Sequence, residues 1–145
     1  MTTTLQILLG SALLTVCALV HVGIVASAIP LLKWVGHRVI HGENAMGRAL
    51  VLGTSVMIIL LAHTLQVWTW AVAFMVSEAM TDFATSFYFS MVTYTTLGYG
   101  DLLLGENLRI FATFAAVTGL LTFGISTAFL ISVLNAFFPG LYGRR

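Results

Sequence analysis

Residues 95–101 read Thr-Thr-Leu-Gly-Tyr-Gly-Asp, between flanks that are almost purely apolar. Gly98 and Gly100 stand two apart, and glycine takes left-handed backbone dihedrals without steric cost. A strand alternating in handedness turns successive carbonyls to one side. Such a row presents backbone oxygens, which only accept hydrogen bonds or positive charge, along one side. Irregular backbone of this kind is excluded from bilayer hydrocarbon unless it is buried in protein or lines a watery path. The stretch therefore demands elements that hold it in place.

Composition says where those elements lie. The 145 residues are 59% hydrophobic and 8% charged, with a mean hydropathy of +1.03. A soluble domain has about a quarter of its residues charged, so this is a membrane protein. The single cysteine, Cys17, lies in an apolar run and forms neither an intrachain disulfide nor a cysteine-based metal site. Three runs, residues 5–32, 49–76 and 110–137, exceed the roughly 20 residues that cross a bilayer. Residues 83–94 are too few to span and read as a helix that enters the membrane and stops.

Charge sets the orientation. Lys33, Arg38 and Arg48 lie between the first and second runs, and Arg144 and Arg145 follow the third. Glu78, Asp82, Asp101 and Glu106 lie between the second and third. Positive residues favour the cytoplasmic side, which puts residues 77–109 and the N-terminus outside and the C-terminus inside. Ala26-Ser27-Ala28 has the look of a signal-peptidase site. Cleavage there would reverse the charge distribution, and residues 1–4 carry no positive charge, so an uncleaved first helix is expected. Residues 31–42 mix apolar and basic side chains and fit either a short interfacial helix, with Trp34 at headgroup level, or a basic loop.

Residues 86–101, SFYFSMVTYTTLGYGD, resemble the pore helix and selectivity filter of potassium channels, whose common form has Val where Leu97 stands. Residues 119–130, GLLTFGISTAFL, are similar to the inner helix of bacterial two-transmembrane potassium channels. The order of elements also agrees, from about residue 49 to 137, and the first helix lies outside the resemblance. It implies an all-α membrane protein: an extra N-terminal helix (1–32), a cytoplasmic basic segment (33–48), a pore domain (49–137) and a short tail (138–145). Within the pore domain it implies an outer helix (49–76), pore helix (82–95), filter (96–101) and inner helix (106–137). Four chains around one axis, a closed homotetramer, complete the stacked oxygen rings.

The resemblance further implies that the backbone carbonyls of Thr96, Leu97, Gly98 and Tyr99 coordinate K⁺, with the Thr96 hydroxyl adding the innermost ring. Gly100 and Asp101 form the outer mouth, where four copies of Asp101 concentrate cations. Thr81 and Asp82 are both good caps for the start of the pore helix. Its C-terminal end aims partial negative charge at the cavity. Many relatives anchor the filter with tryptophans and a glutamate on the pore helix; here Tyr88, Phe89 and Val92 occupy those positions. Phe89 has no hydrogen bond to give Tyr99, while Tyr88 is able to reach Asp101, so an altered, looser anchor is expected. Leu120, Phe123, Thr127 and Ile131 share one helical face, which by analogy lines the cavity. Gly119 matches the hinge position, and Gly119 and Gly124 suit hinge or close packing equally. Asn135 is a gate candidate, and the helix is expected to break at Pro139.

His21 and His63 lie in separate runs and invite a haem reading. Counted from the ends of the runs, they sit roughly 24 Å and 9 Å below the outer surface. That separation excludes a shared iron and leaves each a helix-to-helix hydrogen bond. His37 and His41, four apart, make at most a weak metal pair. Trp68 and Trp70 read as interfacial anchors. No run carries an arginine at every third position, so a voltage sensor of the usual kind is not expected. Nor is an enzyme, a nucleic-acid partner or a cofactor, with K⁺ the permeant ligand and the cell (inner) membrane the location. The function implied is passive, K⁺-selective conduction; the alternatives are a weakly selective cation channel and a non-conducting accessory subunit.

Overall fold

The computed structural model describes residues 1–40 and 45–138. His41, Pro139, Arg144 and Arg145 lie outside them. The described chain is all-α: α1 (Thr3–Val39), α2 (Ala45–Val76), α3 (Phe83–Tyr94) and α4 (Arg109–Phe137). α1, α2 and α4 are long and apolar enough to cross a membrane. α3, at 12 residues, extends about 18 Å, well short of a hydrocarbon core of about 30 Å.

The helices differ from the apolar runs at their ends. α1 starts behind Thr2, whose hydroxyl accepts the Leu5 N–H at 3.4 Å. It continues past residue 32 to Val39, so residues 33–39 are neither a separate surface helix nor a loop. Pro30 lies inside it; one missing N–H does not end a helix whose other groups remain paired. α2 begins at Ala45 rather than 49. α4 begins at Arg109, three residues inside the 106–137 inner helix that the resemblance implied. Long helices overshoot the hydrocarbon, and hydropathy alone does not see the polar turns beyond it.

α1 packs along both α2 and α4 through one stripe: Gln6, Gly10, Cys17, His21, Val25, Ala28, Leu32 and Gly36 are its buried residues. Their spacing by threes, fours and sevens is a single helical face. At each end of the stripe a glycine admits an aromatic ring of α4. A Cβ at Gly10 would overlap the ring of Phe114, and one at Gly36 would overlap that of Phe137. The rest of the α1 surface is largely exposed Leu, Val and Ile, as suits a helix that faces lipid.

Two apolar clusters fill the interior. One gathers Cys17, Val67, Trp70, Phe74, Phe89, Tyr94, Phe111, Ala112 and Ala115 around α3. The other joins Val25, Ala28, Leu32, Val51, Phe129 and Val133, towards the C-terminal ends of α1 and α4 and the start of α2. Trp70 is fully buried in the first, with ring centroids 5.8 Å from Phe74 and 5.4 Å from Phe111. It is therefore a core residue, not an interfacial anchor. Two residues apart on a helix, Trp68 and Trp70 face opposite sides, and only Trp68 is exposed.

Gln6, 1% exposed, performs a task that α4 does not perform for itself. Leu108 at the N-cap of α4 supplies no side-chain bond. Instead the Gln6 Oε1 accepts the N–H groups of Ile110 and Phe111, at 3.1 and 3.3 Å. Its Nε2 donates to the Glu106 carbonyl at 3.1 Å. One amide from α1 thus closes the start of α4. Replacing it leaves those donors unpaired, so Gln6→Leu is expected to lower unfolding stability by about 1–3 kcal/mol. Thermal unfolding in detergent measures this, and a midpoint equal to wild type counts against the capping role.

Candidate functional site

α3 is fixed at both ends and along its length. The Asp82 Oδ1 accepts the Thr85 N–H at 2.9 Å, and Oδ2 accepts the Thr85 hydroxyl at 2.7 Å. The Ser90 hydroxyl donates to the Val67 carbonyl of α2 at 2.7 Å. Phe89 meets Phe74 edge to face at 5.1 Å. Tyr94, the last residue of α3, is 1% exposed, with its hydroxyl 2.8 Å from His63 Nδ1 and 2.7 Å from Thr122 Oγ1. Its backbone lies so close to α4 that a Cβ on Gly119 would overlap the Tyr94 carbonyl oxygen. Gly119 is thus a point of close contact. Gly124 has nothing within 4 Å of a built Cβ.

Beyond the Thr95 cap the backbone changes character. Positive φ recurs at every second residue: 61° at Thr96, 52° at Gly98 and 79° at Gly100. The left-handed conformation at Thr96, where no glycine relieves it, costs roughly 1–3 kcal/mol and persists only where the surroundings impose it. The N–H groups of Thr96, Leu97 and Gly98 fold back onto the carbonyls of Thr93 and Val92, at 2.9–3.3 Å. Among the described residues, no donor reaches the carbonyls of Thr96, Leu97, Gly98 and Tyr99. The strand thus carries acceptors that the single chain leaves open.

The side chains around it fall into two sets. Leu97 and Tyr99 are exposed, at 54% and 67%. Phe89 and Val92 are buried behind the strand. Tyr88 donates its hydroxyl to Asp101 Oδ2 at 2.6 Å, a bond that ties α3 to the C-terminal end of the strand and pushes the phenol pKa up. On α4, Leu120, Phe123, Thr127 and Ile131 are all exposed on the single chain. The face opposite carries Thr118, Thr122 and Ser126, buried and four apart.

His21 and His63 are not separated in depth, contrary to the sequence reading. Their ring centroids lie 4.9 Å apart. Eighteen residues separate His21 from Val39, and eighteen separate Ala45 from His63. They therefore stand about 27 Å along their helices from Val39 and Ala45. The error came from counting along apolar runs, which end seven residues short of α1 and begin four residues late on α2. The hydrogen-bonding expectation stands. Each Nε2 faces the Ser126 hydroxyl, at 2.9 Å from His21 and 3.0 Å from His63. Tyr94, Thr122, Ser126 and Gln6 were not singled out from the sequence. The signal was present in the four-residue spacing of Thr118, Thr122 and Ser126 within an apolar run.

The Asp82 carboxyl is held below its ordinary value of 3.8, first by the Thr85 backbone N–H and then by the Thr85 hydroxyl. A depressed carboxylate pKa adds stability that is fully present above the unfolded value and is lost as pH falls through the folded one. The gap in melting temperature between wild type and Asp82→Ala is therefore expected to be constant from pH 7 to about pH 4 and to narrow below. A gap that widens in acid contradicts the cap.

In comparison with known families, residues 49–136 match the model of a family described as "Ion channel". No curated protein and no solved structure matches the chain. The matched segment exceeds half of the sequence and takes in most of α2, all of α3, the 96–101 strand and all but the last residue of α4. With three helices able to cross a membrane, a short helix between the second and third, and an open-carbonyl strand at its end, the chain belongs to the pore-loop ion-channel family.

Proposed function

We propose that the protein is the pore-forming subunit of a potassium-selective channel that conducts K⁺ passively as a homotetramer. The observation that carries this reading is the 96–101 backbone: positive φ at alternate residues and carbonyls with no partner in their own chain. Unpaired acceptors are costly in a membrane unless something else occupies them. Stacked rings from four chains, filled by a dehydrated cation, resolve that cost for all of them at once. Thr96, Leu97, Gly98 and Tyr99 supply the ring oxygens, and the intact Gly98-Tyr99-Gly100 favours K⁺ over a weakly selective pore. One strand per chain demands closed cyclic symmetry.

The single chain has the surfaces this assembly needs. A cavity of about 480 Å³ opens between α3, the strand and α4, lined by Phe89, Val92, Leu103, Ala112, Thr113 and Ala116 among others. It offers a neighbour's exposed Leu97 and Tyr99 side chains an apolar seat. Leu120, Phe123, Thr127 and Ile131 then face the axis. Because Gly119 touches the Tyr94 carbonyl, a bend there has to slide past the end of the pore helix, and the uncrowded Gly124 is the freer place for it. Lys33, Arg38 and Arg48 favour the cytoplasm for the end of α1 and the start of α2, and the outside for the α3 entry. The C-terminal end of α3 aims its partial negative charge inward from that side.

The test is cation flux from liposomes holding only the purified protein, under a K⁺ gradient in Na⁺, with Ba²⁺ as blocker. Selective, Ba²⁺-sensitive K⁺ flux is expected. Equal K⁺ and Na⁺ flux replaces the reading with a weakly selective channel. No flux from a verified tetramer, under any membrane voltage or pH applied, favours an accessory subunit. Where the wild type conducts, Tyr88→Phe is expected to shorten its conducting episodes, since the Tyr88–Asp101 bond is the polar tie that α3 makes to the outer mouth. Episodes of unchanged length remove that tie from the account.

A further inference from the structure

Five side chains on four helices form one connected set: His21 on α1, Ser126 and Thr122 on α4, His63 on α2 and Tyr94 on α3. Counting protons along it fixes its direction. The Thr122 hydroxyl lies 2.8 Å from the Thr118 carbonyl and 3.2 Å from that of Gly119, groups that only accept. Its one proton goes there. Tyr94 must then donate to Thr122, and the Tyr94 oxygen must accept from His63 Nδ1–H. A neutral His63 is left with a bare Nε2, which accepts the Ser126 proton. Ser126 in turn accepts from His21 Nε2–H. The count ends with a bare nitrogen at His21 Nδ1, and that atom is buried without a hydrogen-bond partner. The opposite polarity would strand an N–H at the same place, and orphaned buried donors are rarer than orphaned acceptors.

The chain of bonds ends at a consequential residue. Tyr94 closes α3, two residues before the left-handed Thr96, and its hydroxyl is held from α2 and α4 together. Hydrogen bonds in series polarise one another, so a break at one link weakens the others. We infer that His21, Ser126 and His63 are positioning residues for the 96–101 strand, acting through Tyr94, and that α1, which lies outside the matched ion-channel segment, sets the geometry of that strand. The consequence for selectivity rests on the reading of the strand as a K⁺ filter; the positioning itself does not.

Nitrogen-15 NMR of the full-length protein in detergent micelles or bilayers tests both levels. Wild type is expected to show the Nε2–H tautomer at His21 and the Nδ1–H tautomer at His63. Tyr94→Phe releases His63 from that tautomer. Ser126→Ala, remote from the strand, shifts the amide resonances of Gly98 and Gly100, while Ser126→Thr, which keeps the hydroxyl, restores them. Stability of the His21→Phe and Tyr94→Phe variants, alone and combined, is non-additive although three hydrogen bonds separate the residues. In liposomes Ser126→Ala lowers the K⁺/Na⁺ permeability ratio roughly three- to tenfold. An Nε2–H tautomer at wild-type His63, or Gly98 and Gly100 resonances unmoved by Ser126→Ala, overturns the inference. Where wild type passes K⁺ and Na⁺ alike, the filter reading falls, and the glycine resonances decide positioning by themselves.

Discussion

A bilayer supplies no water to backbone groups, so a chain inside it must pair every N–H and C=O or give them another occupant. The arrangement follows from how this chain meets that demand. Three helices pair their groups internally. α3 does so for 12 residues and then stops, and the strand that follows bends the amides of Thr96, Leu97 and Gly98 back onto α3. Those amides are spent there and the carbonyls of the strand are not. The Asp82 cap, the Ser90–Val67 bond and the Phe74–Phe89 contact all fix α3, since a strand with no ladder of its own borrows its rigidity from the helix before it.

The same demand governs side chains. Polar groups are expensive at membrane depth unless they find each other across helices. Here several buried ones do so, at separate levels. Gln6 closes the start of α4, Gln66 donates to the Cys17 carbonyl at 2.9 Å, and the histidine set lies between the two apolar clusters. Lipid is as apolar as leucine, so leucine contacts alone give a helix little reason to choose one neighbour over another. These polar pairs, with the glycine slots at Gly10 and Gly36, fix the rotation and depth of α1. By contrast, the exposed Arg109–Glu106 pair at 3.5 Å contributes little.

The architecture was legible because its signals are local. Three long apolar runs and a short one were enough for the all-α order, and the resemblance of residues 86–101 and 119–130 for the ion-channel family. Tyr88 and Asp101 were correctly placed within reach of each other, since both flank a segment whose course was recognised. What was not legible depended on where one helix stops relative to another. The His21–His63 pairing needs the true ends of α1 and α2, and hydropathy marks the hydrocarbon, not the helix. Trp70 was misplaced because run position says nothing about rotation. Gln6 was invisible for a related reason: its partners are the amides of a helix about a hundred residues away, which leave no trace in side-chain type.

The two glycine slots bear on how α4 can move. Phe114 seats in α1 at Gly10 and Phe137 at Gly36, near opposite ends of α4. Between them Ser126 bonds to His21. A helix held at one point can pivot, but one held at three points on the same neighbour cannot tilt without carrying that neighbour or breaking a contact. Packed interfaces shift between discrete arrangements and do not deform continuously. Motion of the lower half of α4 therefore either takes α1 with it or draws Phe137 out of its slot beside Gly36. Among the described residues, apolar packing, that slot and the Arg48 guanidinium over the Phe138 ring retain α4 below Ser126, whereas above it Gln6, Thr122 and the Tyr94 carbonyl add hydrogen bonds and close backbone contact. The C-terminal half of α4 is the end with less to lose by moving, and the N-terminal half, next to the strand, is the end held still.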